Sequence, residues 1–542
     1  MRFSRRNGIA ASALAAGYLA TNPLSILAAP NPIGETDESA TPVDGGELVL
    51  TISELPDTLD PHKTGAAITG SILRNAGDPL IRKNFDGEYV PGLAKEWEIS
   101  EDGLTWTFKL REDVTFHDGT PFNAEAVKAN FDRILDPSTN AVTASSSVGS
   151  MYETTVLDEF TFQFVTKEPY PPLLQNLTGG ILSIVSPTAT KEMGDDFGRA
   201  PVMTGPWMIE EWRTGDRIVL KRNPDYNWGP EGMHEGPAYI EKITYLSIME
   251  EASRMAAFEA GETHQLTLPA VDISRIVDSG QYWTVNYLRF GLVFMEFNIT
   301  KAPFDDVRVR RALNHAVNKA DVMGAAVEEY GQLAYGFLSP SIFGYWDGAE
   351  EYSPQYDVDQ AKALLVEAGW EDTDNDGILE KDGEKFEFTL LNQPSDSWGR
   401  AAQVVQSQLR DIGVKMEIQQ VEFATLLEEA KAGNHQAEMM GYTYDDPDIA
   451  SLWFHSSNAG TGLNMSHIKD PELDAMIEEA RTTMDLDERA EQYAEMQRYI
   501  IDLSLWVPLW ADKYYVAFSK SLRNATFHDD GYAVYFDAWL EN

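Results

Sequence analysis

The chain has 542 residues, and 42 lysines and arginines against 87 aspartates and glutamates give it a formal net charge of −45 at pH 7. This length exceeds what one hydrophobic core supports, so two or three lobes are expected. The strongly negative charge argues against a nucleic acid as the partner, because binding phosphates requires an excess of lysine and arginine. The chain has no cysteine, which excludes disulfides, thiolate catalysis, cysteine-ligated zinc, iron–sulfur clusters and the lipidated cysteine of a lipoprotein.

Residues 1–29 have the composition of an export signal. Three arginines precede a short apolar stretch, Ile9 to Leu19, and Ala28-Ala29 offers a cleavage point. The alternative, a membrane anchor, fails on length, since a membrane span needs about 20 apolar residues. The paired arginines resemble a twin-arginine signal, and a general secretory signal stays open. We therefore expect an exported protein, periplasmic or extracytoplasmic, with a flexible leader over residues 30–44 that is rich in proline, glycine, threonine and acidic residues.

Hydrophobic periodicity predicts mainly strands in the first half of the mature chain and more helices in the second. Alternating apolar and polar residues predict strands at 104–110 and 160–164, and a helix over 123–135 begins at Asn123 as N-cap. Further strands are predicted at 218–220, 243–248, 386–391 and 414–418, and further helices at 309–317, 361–368, 401–412 and 471–481. Strands that alternate with helices indicate an α/β fold with covered sheets.

Five blocks of the sequence occur in the order found in one known family. The longest consists of GLAKEW at 92–97, DGLTWTFKLR at 102–111 and VTFHDGTPF at 114–122. The others are TLDP at 58–61, TGPW at 204–207 with RNPDY at 222–226, FN at 297–298 with PF at 303–304 and RVRRAL at 308–313, and IGV at 412–414. Over about residues 45–540 the chain resembles the family 5 extracellular solute-binding proteins, which serve ABC importers of peptides, nickel chelates, opines and some oligosaccharides.

The resemblance implies a two-lobed, pear-shaped periplasmic-binding-protein fold of class II type with three domains. Lobe I would be discontinuous (45–79, 203–298 and 508–542), an inserted domain II would span 80–202, and lobe II, or domain III, would span 299–507. Phe297-Asn298 and Pro508 to Trp510 would be the hinge strands for closure of the lobes around a ligand. We expect a monomer whose partners are the small ligand and the permease subunits of a membrane transporter.

The run Met439 to Asp448 places a carboxylate, Asp445, among aromatic side chains in a turn-rich segment. Such a setting suits a positively charged amine in a partly apolar pocket. Locally the chain is most similar to the dipeptide-binding branch, and this resemblance implies that Asp445 pairs with the free α-ammonium of a peptide. It also implies that side-chain pockets are lined by aromatic residues, and the candidates are Tyr442, Phe423, Tyr444 and Trp453. Without the resemblance, the simpler interpretation is that Asp445 is a turn or N-cap residue and that Tyr442 packs in the hydrophobic core.

One position departs from the dipeptide-binding pattern. Where such proteins place an arginine for the peptide carboxylate, this chain has Asn392, which is the candidate ligand contact at that position. Ala430 and Met439 occupy positions that are basic in oligopeptide binders. The prediction is therefore a substrate-binding component of an ABC importer that captures a peptide-like ligand and does no covalent chemistry. Longer peptides and an opine, nickel chelate, amine or oligosaccharide stay open as ligands. A secreted hydrolase using the acidic residues at 445–448 is a further alternative.

A second acidic string resembles a calcium-binding loop. Asp372, Asp374 and Asp376 alternate and precede a glycine, which suits a hard cation with oxygen ligands. The twelfth loop position is Gly383 instead of a bidentate glutamate, and Glu380 could compensate in part, together with Asp382. The alternative is a solvated acidic loop. Calcium bound here would be structural, and no other cofactor is expected.

Overall fold

The computed structural model describes residue 33 and residues 41–84, 87–230, 232–528 and 531–541. The predicted export signal lies outside the described residues. Among the described residues, no helix combines the length and the apolar character that a membrane span requires.

The first half of the chain contains thirteen strands and seven α-helices within the described ranges. The strands are β1 (Glu47–Ile52), β2 (Ile81–Lys83), β3 (Tyr89–Pro91), β4 (Ala94–Ile99), β5 (Thr105–Leu110), β6 (Met151–Asp158), β7 (Thr161–Thr166), β8 (Trp207–Arg213), β9 (Arg217–Arg222), β10 (Lys242–Ser247), β11 (Gln265–Thr267), β12 (Trp283–Leu288) and β13 (Val293–Phe297). The helices are α1 (Ala67–Ala76), α2 (Ala124–Leu135), α3 (Val142–Ser147), α4 (Pro172–Asn176), α5 (Pro187–Met193), α6 (Glu251–Glu259) and α7 (Ile273–Ser279).

The second half is richer in helix. The helices are α8 (Val307–Ala316), α9 (Lys319–Val327), α10 (Ala349–Tyr352), α11 (Val358–Glu367), α12 (Asp396–Arg410), α13 (Phe423–Lys431), α14 (Ile449–Phe454), α15 (Pro471–Thr482) and α16 (Leu486–Leu503). The strands are β14 (Gly331–Leu333), β15 (Glu380–Lys381), β16 (Glu384–Lys385), β17 (Glu387–Asn392), β18 (Lys415–Gln420), β19 (Ala437–Gly441), β20 (Trp506–Phe518), β21 (Leu522–Arg523), β22 (Thr526–Phe527), β23 (Ala533–Val534) and β24 (Trp539–Leu540).

The strands form three main sheets. Two have four strands each, in the orders β1-β10-β9-β8 and β4-β5-β7-β6, and the second is built from residues 94–166 alone. The third has eight strands, with β11-β20-β13-β19-β17-β18 in sequence and β12 and β14 also paired with β20. The predicted mixture of helices and sheets is confirmed, and Asn123 caps α2 by accepting a hydrogen bond from the Ala126 amide at 3.0 Å. The predicted domain limits stay a prediction.

Strand β20 carries the chain from one lobe to the other. Its first residues pair with β13 and β14, which together with β17, β18 and β19 form the part of the eight-stranded sheet called the lobe II sheet below. Residues 513–518 pair with β12 in the other part of the sheet. The link from β12 to β13, residues 289–292, runs beside the same crossing. The predicted hinge residues Phe297 and Pro508 pair with Ala437 and Phe294 in the lobe II sheet. Their role as hinges stays a prediction.

A buried acidic pair lies in the lobe II sheet. Glu296 and Glu438 face each other across β13 and β19, and both side chains are fully buried. Burial is the largest cause that raises the pKa of both carboxyls, and for Glu296 the charge of Glu438 adds to it. The His435 Nε2 atom lies 2.8 Å from a Glu438 oxygen, and burial lowers the pKa of that histidine to about 4. The pair therefore holds at least one proton at neutral pH.

Candidate ligand site between the lobes

The run Met439 to Asp448 begins in β19 and continues beside the crossing between the lobes. After the strand ends at Gly441, the Tyr442 amide donates to the Leu292 carbonyl at 3.1 Å and the Tyr444 amide to the Phe290 carbonyl at 2.8 Å. The chain then turns into α14. This path places the predicted ligand-binding residues next to the segment at which one lobe meets the other.

Asp445 has an exposed side chain that faces α4, in the predicted inserted domain. Its Oδ2 atom accepts a hydrogen bond from Gln175 Nε2 of α4 at 3.2 Å. Surrounding protein displaces water from the carboxylate and raises its pKa, the Gln175 bond lowers it, and the charge of Asp446 raises it further. No lysine or arginine in the described ranges lies within salt-bridge distance of Asp445. A bound cation would therefore stabilise its charged form.

The two neighbouring aspartates, Asp446 and Asp448, each form an ion pair with an arginine. Asp446 receives two hydrogen bonds from Arg489, at 2.7 and 3.2 Å, and both side chains are buried. Asp448 lies 2.7 Å from Arg481 Nε, and burial raises its pKa to about 6 although that arginine opposes the shift. These two ion pairs hold the run against α15 and α16. Of the three aspartates in the run, Asp445 has no arginine partner among the described residues, so its carboxylate can interact with a group outside lobe II.

The predicted aromatic residues divide into buried and accessible ones. Tyr442 donates its hydroxyl to the Phe337 carbonyl at 2.6 Å, and Trp453, 1% exposed, packs edge-on against Phe294 at 5.2 Å between ring centroids. Both therefore brace the lobe II core. Tyr444 is half-buried, and burial and then the Asp448 charge raise its pKa. Phe423 begins α13 and is 47% exposed.

Asn392 is fully buried at the end of β17. Its Nδ2 donates to the Trp398 carbonyl at 3.2 Å, and its Oδ1 has no hydrogen-bond partner among the described residues. The structure therefore encloses this amide and does not present it at the protein surface.

Gln175, Lys83 and Tyr89, all within the predicted inserted domain, complete the surroundings of Asp445. The Oε1 atom of Gln175 accepts from Lys83 Nζ at 3.3 Å and from the Tyr89 hydroxyl at 3.4 Å. Lys83 lowers the pKa of Asp445, although it is the smallest of the causes. Sequence reasoning missed all three residues, because none belongs to a motif and they reach Asp445 only through the fold.

The acidic loop forms a separate cluster. Oxygen atoms of Asp372, Asp374, Asp376 and Glu380 lie within 4.8 Å of one another. The Glu380 side chain is only 10% exposed, and its Oε1 has no hydrogen-bond partner. Lys385 Nζ lies among these carboxylates, 3.5 Å from Asp374, 4.0 Å from Glu380 and in contact with Asp376. Of the two residues expected to compensate for the missing glutamate, Glu380 lies with the three predicted ligands and Asp382 is not in this cluster.

Comparison with known proteins places this geometry in a family. The model of bacterial extracellular solute-binding proteins, family 5 middle, matches residues 88–462. The chain is 29% identical over 508 residues to the glutathione-binding protein GsiB of Salmonella typhimurium, covering 91% of this chain and 94% of the relative. It is 31% identical over 443 residues to the nickel-binding periplasmic protein of Escherichia coli, covering 80% and 83%.

A solved structure supports the same conclusion. The ABC transporter-associated periplasmic binding protein DppA from Helicobacter pylori, in complex with the peptide STSA, superposes with a TM-score of 0.72 at 26% identity, covering 92% of this chain and 99% of that one. The predicted two-lobed periplasmic-binding-protein fold and the predicted resemblance are confirmed. The chain belongs to the family 5 bacterial extracellular solute-binding proteins.

Proposed function

We propose that this protein is the extracytoplasmic substrate-binding component of an ABC importer and captures a peptide-like ligand that carries a free amine. The observation that carries the proposal is Asp445, a carboxylate at the junction of the lobes that has no cationic partner among the described residues. Membership of the family supports the transport role. The relatives that match are solute-binding proteins and not enzymes, so we propose binding without turnover.

In the proposed mechanism, the open form binds the ligand ammonium first at Asp445. Closure then brings the inserted domain and lobe I over the ligand and removes water, which strengthens the carboxylate–ammonium pair. Arg481 and Arg489 hold the neighbouring aspartates, so the run keeps its shape while the ligand enters. Phe423, Tyr444 and the peptide backbone near the crossing would contact the rest of the ligand, with trapped water between them.

Calorimetric titration of the mature protein with a panel of ligands tests this proposal. The panel contains di- and tripeptides, glutathione, the N-acetylated form of each, and nickel–histidine as the chelate alternative. We expect amine-bearing ligands to bind and their acetylated forms to fail. Asp445→Asn should weaken binding by roughly 30-fold or more, because a desolvated charge pair is worth about 2 kcal/mol or more.

Asp278→Asn is the matched control, since this exposed aspartate of α7 belongs to neither the run nor the acidic loop. It should leave every affinity unchanged. Equal binding of an amine and its acetylated form, or unchanged affinity in Asp445→Asn, would contradict the assignment of the site. Hydrolysis products after incubation with peptides would contradict the binding role.

We also propose that the acidic loop binds one structural calcium ion through Asp372, Asp374, Asp376 and Glu380. The buried Glu380 oxygen without a hydrogen-bond partner supports a cation at the centre, where Lys385 would have to move aside. Saturating Ca²⁺ should raise the thermal midpoint above that in EGTA, since a ligand at about 100 times its Kd adds about 2.7 kcal/mol. Asp374→Asn with Asp376→Asn should abolish the rise, and Asp278→Asn should not. Equal midpoints in the two buffers would contradict calcium binding.

A further inference from the structure

The Met484 side chain connects two hydrophobic cores. It lies in the short turn between α15 and α16, and apolar residues of these two helices, such as Ile477 and Tyr493, are buried in a core of lobe II. Met484 itself is half-buried and packs against a different core, which contains Trp106 and Phe164 of the β4-β5-β7-β6 sheet. This side chain therefore reaches from lobe II into the predicted inserted domain.

The turn between β4 and β5 receives this methionine at a buried glycine, Gly103. A Cβ atom at position 103 would lie 2.9 Å from Met484 Cγ and 3.0 Å from Pro169 Cβ, which is closer than carbon atoms pack without repulsion. Gly103 also has a φ of +70°, a left-handed conformation that favours glycine. Both the backbone and the neighbouring methionine therefore require glycine here, in the longest of the five sequence blocks.

Hydrogen bonds hold the turn in the shape that admits the methionine. The Gly103 amide donates to the Ser100 carbonyl at 2.8 Å, and the indole of the buried Trp106 donates to the Gly103 carbonyl at 3.2 Å. Met484, in contrast, has an unbranched and flexible side chain that packs without directional bonds. A contact between a rigid turn and a flexible apolar side chain can open and re-form without breaking polar interactions.

Tyr170 faces the same corner of lobe II and widens the contact. Burial raises the pKa of its hydroxyl to about 12, the charge of Asp448 adds to this shift, and Arg481 opposes it. The hydroxyl therefore lies near the ion pair of Asp448 and Arg481, and this arginine is in the last turn of α15, just before Met484. The corner between α15 and α16 thus meets the predicted inserted domain through an apolar contact with a polar group beside it.

We propose that Met484, packed against Gly103 and Pro169, is a positioning residue that holds lobe II against the predicted inserted domain when the lobes close, and that it sets how long a captured ligand is retained. This inference rests on the proposed function and adds the residue that controls release. The contact forms after the ligand has entered and is made by protein atoms alone. Its loss therefore speeds dissociation and leaves association and the choice of ligand unchanged.

Stopped-flow binding of trialanine to the mature protein tests the effect on release. Met484→Ala should raise the dissociation rate about 10-fold, equivalent to about 1.4 kcal/mol, and leave the association rate within about twofold. Gly103→Ala should also raise the dissociation rate, because the added methyl group displaces Met484. The effects should be less than additive in the double variant, since one contact can be lost only once. Met249→Ala, at an exposed methionine between β10 and α6, should change neither rate.

An engineered disulfide tests the same contact independently of side-chain removal. The chain has no cysteine, and the 2.9 Å between Met484 Cγ and a Cβ atom at position 103 places two cysteines within bridging distance. We expect Gly103→Cys with Met484→Cys to form this bridge on oxidation, with the yield measured by mass spectrometry. The bridged protein should exchange bound trialanine at least about 10-fold more slowly than the reduced protein.

Thermal melting of each variant, compared with the unaltered protein, verifies that it is folded. The absence of a bridge, equal exchange in the bridged and reduced proteins, or an unchanged dissociation rate in Met484→Ala would overturn the inference. In each of these cases, peptide binding that still depends on Asp445 would leave the proposed function intact. If neither trialanine nor any other amine-bearing ligand binds the unaltered protein, the proposed function and the inference both fail.

Discussion

Replacing Arg489 by methionine is expected to lower the free energy of unfolding by about 3–5 kcal/mol, because Asp446 would be left buried without its cation. The Arg489 side chain is 2% exposed and that of Asp446 is 9% exposed. The guanidinium also donates to the Ala480 carbonyl at 3.2 Å, so its loss removes that hydrogen bond as well as the ion pair. Urea unfolding followed by circular dichroism measures the change.

Arg311→Met is the matched control for this variant. Arg311 pairs with Asp502 at 2.9 Å on the surface, where both side chains are exposed, and such pairs contribute about 1 kcal/mol or less. Replacing both Asp446 and Arg489 with apolar residues should recover part of the loss, since the uncompensated charge disappears. A loss in Arg489→Met no larger than that in Arg311→Met would contradict the structural role of the buried pair.

Glu438→Gln is expected to make the protein more stable at alkaline pH. Burial raises the pKa of Glu438 to about 8, whereas the same carboxyl in the unfolded chain titrates near its ordinary value. Between these two values the folded state holds a proton that the unfolded state has released, so stability falls as pH rises, by roughly 1.4 kcal/mol per pH unit for one proton. Glutamine carries no such proton, and its free energy of unfolding should fall less steeply.

Urea unfolding at intervals between pH 6.5 and 9 tests this expectation. This pH range avoids the titration of His435, because a lowered histidine pKa affects the free energy of unfolding only when the pH falls below the ordinary pKa of histidine. Glu296 is the partner of Glu438 in the pair, and it accepts a hydrogen bond from the Ser466 amide at 2.8 Å and lies beside Trp506. The charge of Lys301 acts on the neighbouring His435. Glu417→Gln, on an exposed position of β18, should follow the unaltered protein. If the free energy of unfolding of Glu438→Gln fell with pH as steeply as that of the unaltered protein, the result would contradict a proton held by Glu438 in the folded state.

Much of the fold could be predicted from the sequence because the signals are local. The alternation at 104–110 marks β5, and the polar cap at Asn123 marks the start of α2, as the structure has them. The apolar spacing at 309–317 and 361–368 likewise marks α8 and α11. Such patterns depend only on neighbours along the chain. Together with the ordered blocks they lead to the correct family.

The surroundings of the candidate site could not be predicted, because they depend on distant contacts. Gln175 and Asp445 are 270 positions apart, and no local pattern connects them. The aspartates at 446 and 448 look the same as Asp445 in the sequence, and only their contacts with Arg489 and Arg481 distinguish them. The sequence also left Tyr442 open as a ligand contact or a core residue, and the structure shows it partly buried, with its hydroxyl bonded to the Phe337 carbonyl. Trp453, predicted as a ligand contact, is buried in the core of lobe II.

Native mass spectrometry of the freshly purified mature protein tests the central claim most directly, because a closed binding protein retains its ligand. We expect one small molecule per chain, with a primary amine that is identified after release by its reaction with an amine-specific reagent. Asp445→Asn, purified in the same way, should be empty, and Asp278→Asn should carry the same ligand. A retained ligand without an amine, or the same occupancy in Asp445→Asn, would contradict capture of an amine-bearing ligand at Asp445.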